Sequence, residues 1–183
     1  MRRVWLIRHG ASVVPPGVAI GASDPPLSEL GRAQAMKLAD RLHDRPLSAV
    51  WSSDSIRARD TASPVAEPHR LAVQTTPALR EIDFGSWEGR FLGDLWQEDP
   101  EAAHAWESDL RRTPPAFGET VTQLELRVAQ FWSDLEPWSR KGEVAVVAHR
   151  GSLAALRAVI TRCSFVSAFA SPMDLGAAEA VDL

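Results

Sequence analysis

The sequence predicts an α/β fold: one domain over residues 1–183, built as a doubly wound, mainly parallel sheet flanked by helices. Three observations carry this reading. Two short apolar runs, Val4-Trp5-Leu6-Ile7 and Val144-Ala145-Val146-Val147-Ala148, each stop at polar residues and a glycine, in Arg8-His9-Gly10 and His149-Arg150-Gly151. This is the pattern of a buried parallel strand ending in a turn. Strand-like and helical periodicities alternate along the chain, which implies right-handed crossovers between parallel strands. A content of 45% hydrophobic and 24% charged residues suits a full-sized core. Ligands of open α/β sheets bind at the carboxyl ends of the strands. His9 and His149, 140 residues apart, are therefore expected to meet at one sheet edge.

The elements follow in order. The first strand runs from about Arg3 to Arg8 and leads into a Pro/Gly-rich loop from Ser12 to Pro26. Ser28 reads as the N-cap of a helix whose apolar residues are Leu30, Ala33, Leu38 and Leu42. Ala49-Val50-Trp51 is a second strand ending at Ser52-Ser53-Asp54, and helical spacing resumes through Ile56, Ala58, Ala62 and Val65. A third short strand, Ala72 to Thr75, precedes Leu79-Arg80-Glu81-Ile82-Asp83-Phe84-Gly85. About residues 85–118, tryptophan-rich and broken by Pro100, Pro114 and Pro115, are expected to form an irregular insertion capping the site. Glu119 to Trp138 is a long amphipathic helix, with Val121, Leu124, Val128, Phe131 and Leu135 on one face. The fourth strand, Val144 to Ala148, is followed by a helix from Ser152 to Ile160, and the tail from Phe165 to Leu183 adds another strand.

Composition excludes several classes. A net charge of −4 gives no electrostatic reason to expect nucleic acid. Cys163, the single cysteine, rules out an internal disulfide and a multi-cysteine zinc site. Met1-Arg2-Arg3 leads into four apolar residues, too few for a signal peptide, and no apolar run spans a bilayer. The expectation is a cytoplasmic protein with no membrane partner; a homodimer is compatible with the chain.

The strand ends gather a recognisable chemistry. Arg8-His9-Gly10 ends the first strand, Ser53-Asp54 the second with Arg57 in the following helical turn, and His149 the fourth; Glu81 follows the third. Two arginines, two imidazoles and a carboxylic acid suit phosphoryl transfer, where charge spreads over the equatorial oxygens of the transition state. Arg8 and Arg57 supply bidentate contacts, His149 a hydrogen bond, and a neutral imidazole the nucleophile. Glu81 is the candidate proton donor to the departing alkoxide.

At these residues the chain resembles the histidine phosphatase superfamily, with its phosphoglycerate-mutase-like fold. Leu6-Ile7-Arg8-His9-Gly10 is similar to the family signature, which implies that His9 becomes a phosphohistidine. Ser53-Asp54-Ser55-Ile56-Arg57-Ala58 resembles the second phosphate-binding segment, Glu81 the proton donor and His149 the second histidine. Within the superfamily the nearest resemblance is to α-ribazole phosphatases of cobalamin biosynthesis. It is carried by residues 14–27, Glu81-Ile82-Asp83-Phe84-Gly85-Ser86-Trp87-Glu88-Gly89 and Gly118-Glu119-Thr120-Val121. The implied activity is a metal-independent, cofactor-free phosphomonoesterase acting on a small-molecule phosphomonoester, α-ribazole 5′-phosphate. Trp87, Gly21 and Arg150 are candidates for the substrate pocket.

The chain also departs from the family. Ala11, Ser12 and Pro15 stand where many members have Glu, then Ser or Thr, then an asparagine. Arg150 stands where many have a small residue, which leaves open whether it adds a third cation or points away. Asp83 and Glu88 lie close to Glu81 in sequence. The alternatives are a phosphatase of another small phosphometabolite, a phosphoglycerate mutase, a metal-dependent hydrolase, and a non-catalytic phosphate-binding protein. Mutases are generally longer than this chain, no His-Glu-x-x-His spacing is present, and both histidines sit among arginines, which disfavour a metal cation.

Overall fold

The computed structural model describes residues 3–109, 117–135 and 142–183. The strands are β1 (Arg3–Arg8), β2 (Leu47–Ser53), β3 (Val73–Thr76), β4 (Glu143–Ala148) and β5 (Ala178–Asp182). They form one sheet in the order β3-β2-β4-β1-β5. The first four run parallel, and β5 pairs antiparallel with β1 at the edge. The helices are α1 (Glu29–Leu42), α2 (Ile56–Ala66), α3 (Leu92–Glu98), α4 (Pro100–Ser108), α5 (Val121–Leu135), α6 (Arg150–Thr161) and α7 (Phe165–Phe169). No helix among the described residues is long and apolar enough to cross a membrane.

Burial follows the period-2 alternation of strand side chains. Val4 and Leu6 of β1 and Val144, Val146 and Ala148 of β4 join the core packed under α5, α6 and α7. Trp5 and Ile7 of β1, with Ala145 and Val147 of β4, join the core under α1 and α2. Apolar residues on both faces are what a sheet covered on two sides requires. The β1–β4 register pairs Ile7 with Val147 and Arg8 with Ala148. The His9 amide N–H donates to the Ala148 carbonyl at 3.0 Å. The two histidines therefore leave adjacent strands at the same level.

Two expectations need correction. Residues 85–109 are not irregular: a 3₁₀ turn over Gly85–Trp87 is followed by α3 and α4. Pro100, read as a breaker, is the first residue of α4, and Asp99 accepts from the Ala102 N–H at 3.1 Å as its N-cap. A proline at the first helical position loses no hydrogen bond, because that N–H has no intrahelical partner. Pro114 and Pro115 lie outside the described residues. The tail forms the expected strand, but also α7, whose start is capped by Ser164. The helix expected over Glu119–Trp138 is described from Val121 to Leu135; its end at Trp138 lies outside the described residues.

Candidate active site

β1 delivers His9 to the carboxyl edge of the sheet, where the residue is 9% exposed. Its Nδ1 lies 2.7 Å from the Gly10 carbonyl, which can only accept, so Nδ1 carries the proton and Nε2 keeps its lone pair. Burial pushes the His9 pKa down to about 3; the Gly10 carbonyl opposes this, and the charges of Arg57 and Arg8 add to it. β4 delivers His149, with ring centroids 4.9 Å apart. Its Nε2 lies 3.0 Å from the Ser53 hydroxyl and 3.3 Å from that of Ser55. Burial, then the neighbouring His9, Arg57, Arg127 and Arg8, hold its pKa well below the ordinary value. Both imidazoles are neutral at pH 7.

Arg57, in the first turn of α2, is 1% exposed and donates to the carbonyls of Ser23 (3.0 Å) and Ile20 (3.4 Å), with Asp24 at 3.7 Å. Arg8 donates to the Met173 carbonyl at 2.7 Å. Carbonyls fix a guanidinium without cancelling its charge. Glu81, in the segment after β3, accepts from the Ile82 N–H (2.9 Å) and, through both oxygens, from the Gly151 N–H (3.0 Å).

These residues line one cavity of about 580 Å³, the size of a small-molecule site. Arg8, His9, Arg57, Glu81 and His149 are all in its wall. Glu81 is the only carboxylate there among the described residues. Its sequence neighbours are occupied elsewhere: Asp83 accepts from the Gly85 N–H, and Glu88 accepts from the N–H groups of Gly21, Ala22 and Ser23. The remaining wall is largely apolar, with Val18, Ile20, Phe84, Trp87, Trp96 and Trp106.

A sequence model of the histidine phosphatase superfamily (branch 1) matches residues 4–182. The chain belongs to the histidine phosphatase superfamily. It is 34% identical over 182 residues to the adenosylcobalamin/alpha-ribazole phosphatase of Escherichia coli K12, covering 99% of this chain and 90% of that protein. It is also 34% identical over 170 residues to the glucosyl-3-phosphoglycerate phosphatase of Mycobacterium tuberculosis, covering 88% of this chain and 76% of that one. The crystal structure of the alpha-ribazole phosphatase from Shigella flexneri superposes with a TM-score of 0.90 at 34% identity, over 99% of this chain and 90% of that one. These relatives are phosphatases, and this histidine phosphatase is a phosphomonoester hydrolase by class.

Of the three pocket candidates, Trp87 lies in the cavity wall, 2% exposed, with its ring edge-on to Trp106. Arg150 lines the cavity too, exposed at the start of α6. Gly21 does not line it: its N–H donates to Glu88 at 2.7 Å, and an added Cβ would lie 1.9 Å from the Ile82 carbonyl. Gly21 is a close backbone approach that supports the loop carrying the carbonyls bound by Arg57.

Two supporting residues of this phosphatase had no sequence signal. Arg127 of α5 makes a two-pronged pair with Glu119 and donates to the carbonyls of Ala78, Arg80 and Glu81, clamping the segment that carries Glu81. Phe169 of α7 reaches the cavity from a tail read only as strand.

Proposed function

We propose that this protein hydrolyses α-ribazole 5′-phosphate, through two in-line phosphoryl transfers at His9. The observation that carries the chemistry is one cavity wall holding a buried imidazole with a free Nε2 lone pair, two guanidiniums fixed by carbonyls and, among the described residues, a single carboxyl group.

In the first transfer the Nε2 lone pair of His9 attacks phosphorus. A P–N bond forms, the P–O bond to the leaving group breaks, and the Glu81 proton passes to the departing oxygen. Arg8 and Arg57 take the equatorial oxygens bidentately, and His149 donates one hydrogen bond. The N-terminus of α6, which begins directly after His149, adds a favourable dipole. In the second transfer Glu81, now ionised, takes a proton from water. The water oxygen bonds to phosphorus, the P–N bond breaks, and Nε2 recovers its lone pair as inorganic phosphate leaves.

Two observations support the leaving group. The relatives above include proteins named for α-ribazole. Beyond its phosphate end the cavity is walled by Val18, Ile20, Trp87, Trp96 and Trp106, which suit a flat, uncharged aromatic body such as a benzimidazole better than a second acid group. On this reading the protein serves cobalamin biosynthesis.

Steady-state phosphate release, without added metal, tests this on α-ribazole 5′-phosphate, 3-phosphoglycerate, glucosyl-3-phosphoglycerate and a set of sugar and nucleotide phosphates. The expected result is a kcat/KM for α-ribazole 5′-phosphate far above the others. A flat, slow profile would overturn the substrate and leave the phosphohistidine chemistry to its own test.

A further inference from the structure

One cation in the cavity has no part in the chemistry above. Arg150, the first residue of α6, is exposed yet lines the same cavity as Arg8, His9 and Arg57. Its guanidinium carbon lies 4.1 Å from the centroid of the Phe169 ring. Among the described residues no carboxylate pairs with it. It is close enough to Arg8 that its charge lowers the pKa of that guanidinium, behind the larger effects of burial and of Glu81, which raises it.

The three arginines are held in the same manner. The Met173 carbonyl fixes Arg8, the Ser23 and Ile20 carbonyls fix Arg57, and an aromatic face fixes Arg150. The hydrogen-bonding and aromatic partners are uncharged, and only Arg57 has a carboxylate within ion-pair distance among the described residues, Asp24 at 3.7 Å, so Arg8 and Arg150 are oriented while their charge stays available. Crowding like charges at one rim is unfavourable unless an anion enters between them. The side chains of the loop after His9 offer little to such an anion. Ala11, Val14, Pro15 and Pro16 have no side-chain donor, and the Ser12 hydroxyl donates to the Val14 carbonyl at 3.3 Å.

We propose that Arg150 binds the phosphoryl group as a third guanidinium, with Phe169 holding it in reach. This rests on the phosphomonoesterase reading. Arg150 thereby supplies from α6 a charged contact that the side chains of the loop after His9 do not offer.

Calorimetric titration with inorganic phosphate tests this without requiring turnover. Arg150→Gln should weaken phosphate binding about tenfold, the scale of one charge-assisted contact. Arg150→Lys should recover part of that loss, because the charge remains while the planar fork is lost. Phe169→Leu should fall between wild type and Arg150→Gln. Because Arg150 is exposed, the thermal unfolding midpoint of its variants should match wild type. Unchanged phosphate binding in Arg150→Gln overturns the proposal, with or without a fall in that midpoint. It is also overturned if phosphate binding holds while kcat/KM for 3-phosphoglycerate falls, since Arg150 would then read an acid on the leaving group. A wild-type protein that binds phosphate but hydrolyses no phosphomonoester would sink the phosphatase reading instead, and the Arg150 comparison would stand.

Discussion

In the proposed mechanism His9 is the nucleophile, and two influences on different nitrogens prepare it for that role. The Gly10 carbonyl holds the proton on Nδ1, and burial beside Arg57 and Arg8 keeps Nε2 unprotonated. The same burial has a thermodynamic consequence. The folded pKa of about 3 lies below the unfolded value near 6.5, so between those values the unfolded chain binds more protons and stability rises with pH. The contribution is fully present above about pH 6.5 and is lost as pH falls toward 3. Moving from pH 8 to pH 5 should remove about 2 kcal/mol through His9, on the linkage relation, and His149 acts in the same direction. Denaturant unfolding of wild type and His9→Ala at both pH values checks this. The wild type should lose more stability than the variant, and equal losses would contradict the neutral, buried imidazole. At this scale much was legible in the sequence. Arg8, His9, Arg57 and His149 end strands or open helices, positions that the alternation of elements reveals. Glu81 was separable from Asp83 and Glu88 only by family resemblance, because which carboxylate faces the cavity depends on hydrogen bonds made by residues distant in the chain. Gly21 was misread as a pocket residue because the steric reason for its glycine, the Ile82 carbonyl, is 61 positions away.

The first turn of α6 does three things at once: it follows His149, presents Arg150, and through the Gly151 N–H holds both oxygens of Glu81. An added Cβ at Gly151 would lie 2.4 Å from Glu81 Oε1, so the carboxyl group can sit there only against a glycine. Gly151→Ala should therefore displace the acid and lower kcat by about tenfold to a hundredfold, within the range of general acid–base catalysis, while the affinity for inorganic phosphate stays near wild type. Steady-state kinetics alongside phosphate titration checks the split; equal losses in both would mean that the substitution disrupts the whole site. Elements were legible in proportion to their periodicity. The strands of the sheet centre and α5 stand out as apolar patterns. The short helices do not: α3 and α7 are too brief to show a repeat, and α4 was obscured by a proline that in fact starts it.

Across the whole molecule, the sheet order brings β1 and β4 side by side at the centre, although 134 residues separate Arg8 from Glu143. That pairing converts two distant sequence motifs into one site, and it follows from connection rules applied to two apolar strands. The walls around the site are less predictable, because they come from segments with no strong local signal. The insertion contributes Trp87, Trp96 and Trp106 to the wall, and the tail contributes Phe165 and Phe169 to it and, behind it, the Met173 carbonyl that holds Arg8. The central claim concerns the molecule as a catalyst: turnover passes through a phosphoryl group on His9. Rapid quenching with a phosphorus-labelled substrate, followed by peptide mapping, tests it most directly. The account predicts an acid-labile, base-stable phosphoryl group on the His9 peptide, formed within one turnover and absent from His9→Ala. A fully active enzyme that never carries label on that peptide, or that carries it on another residue, would contradict it.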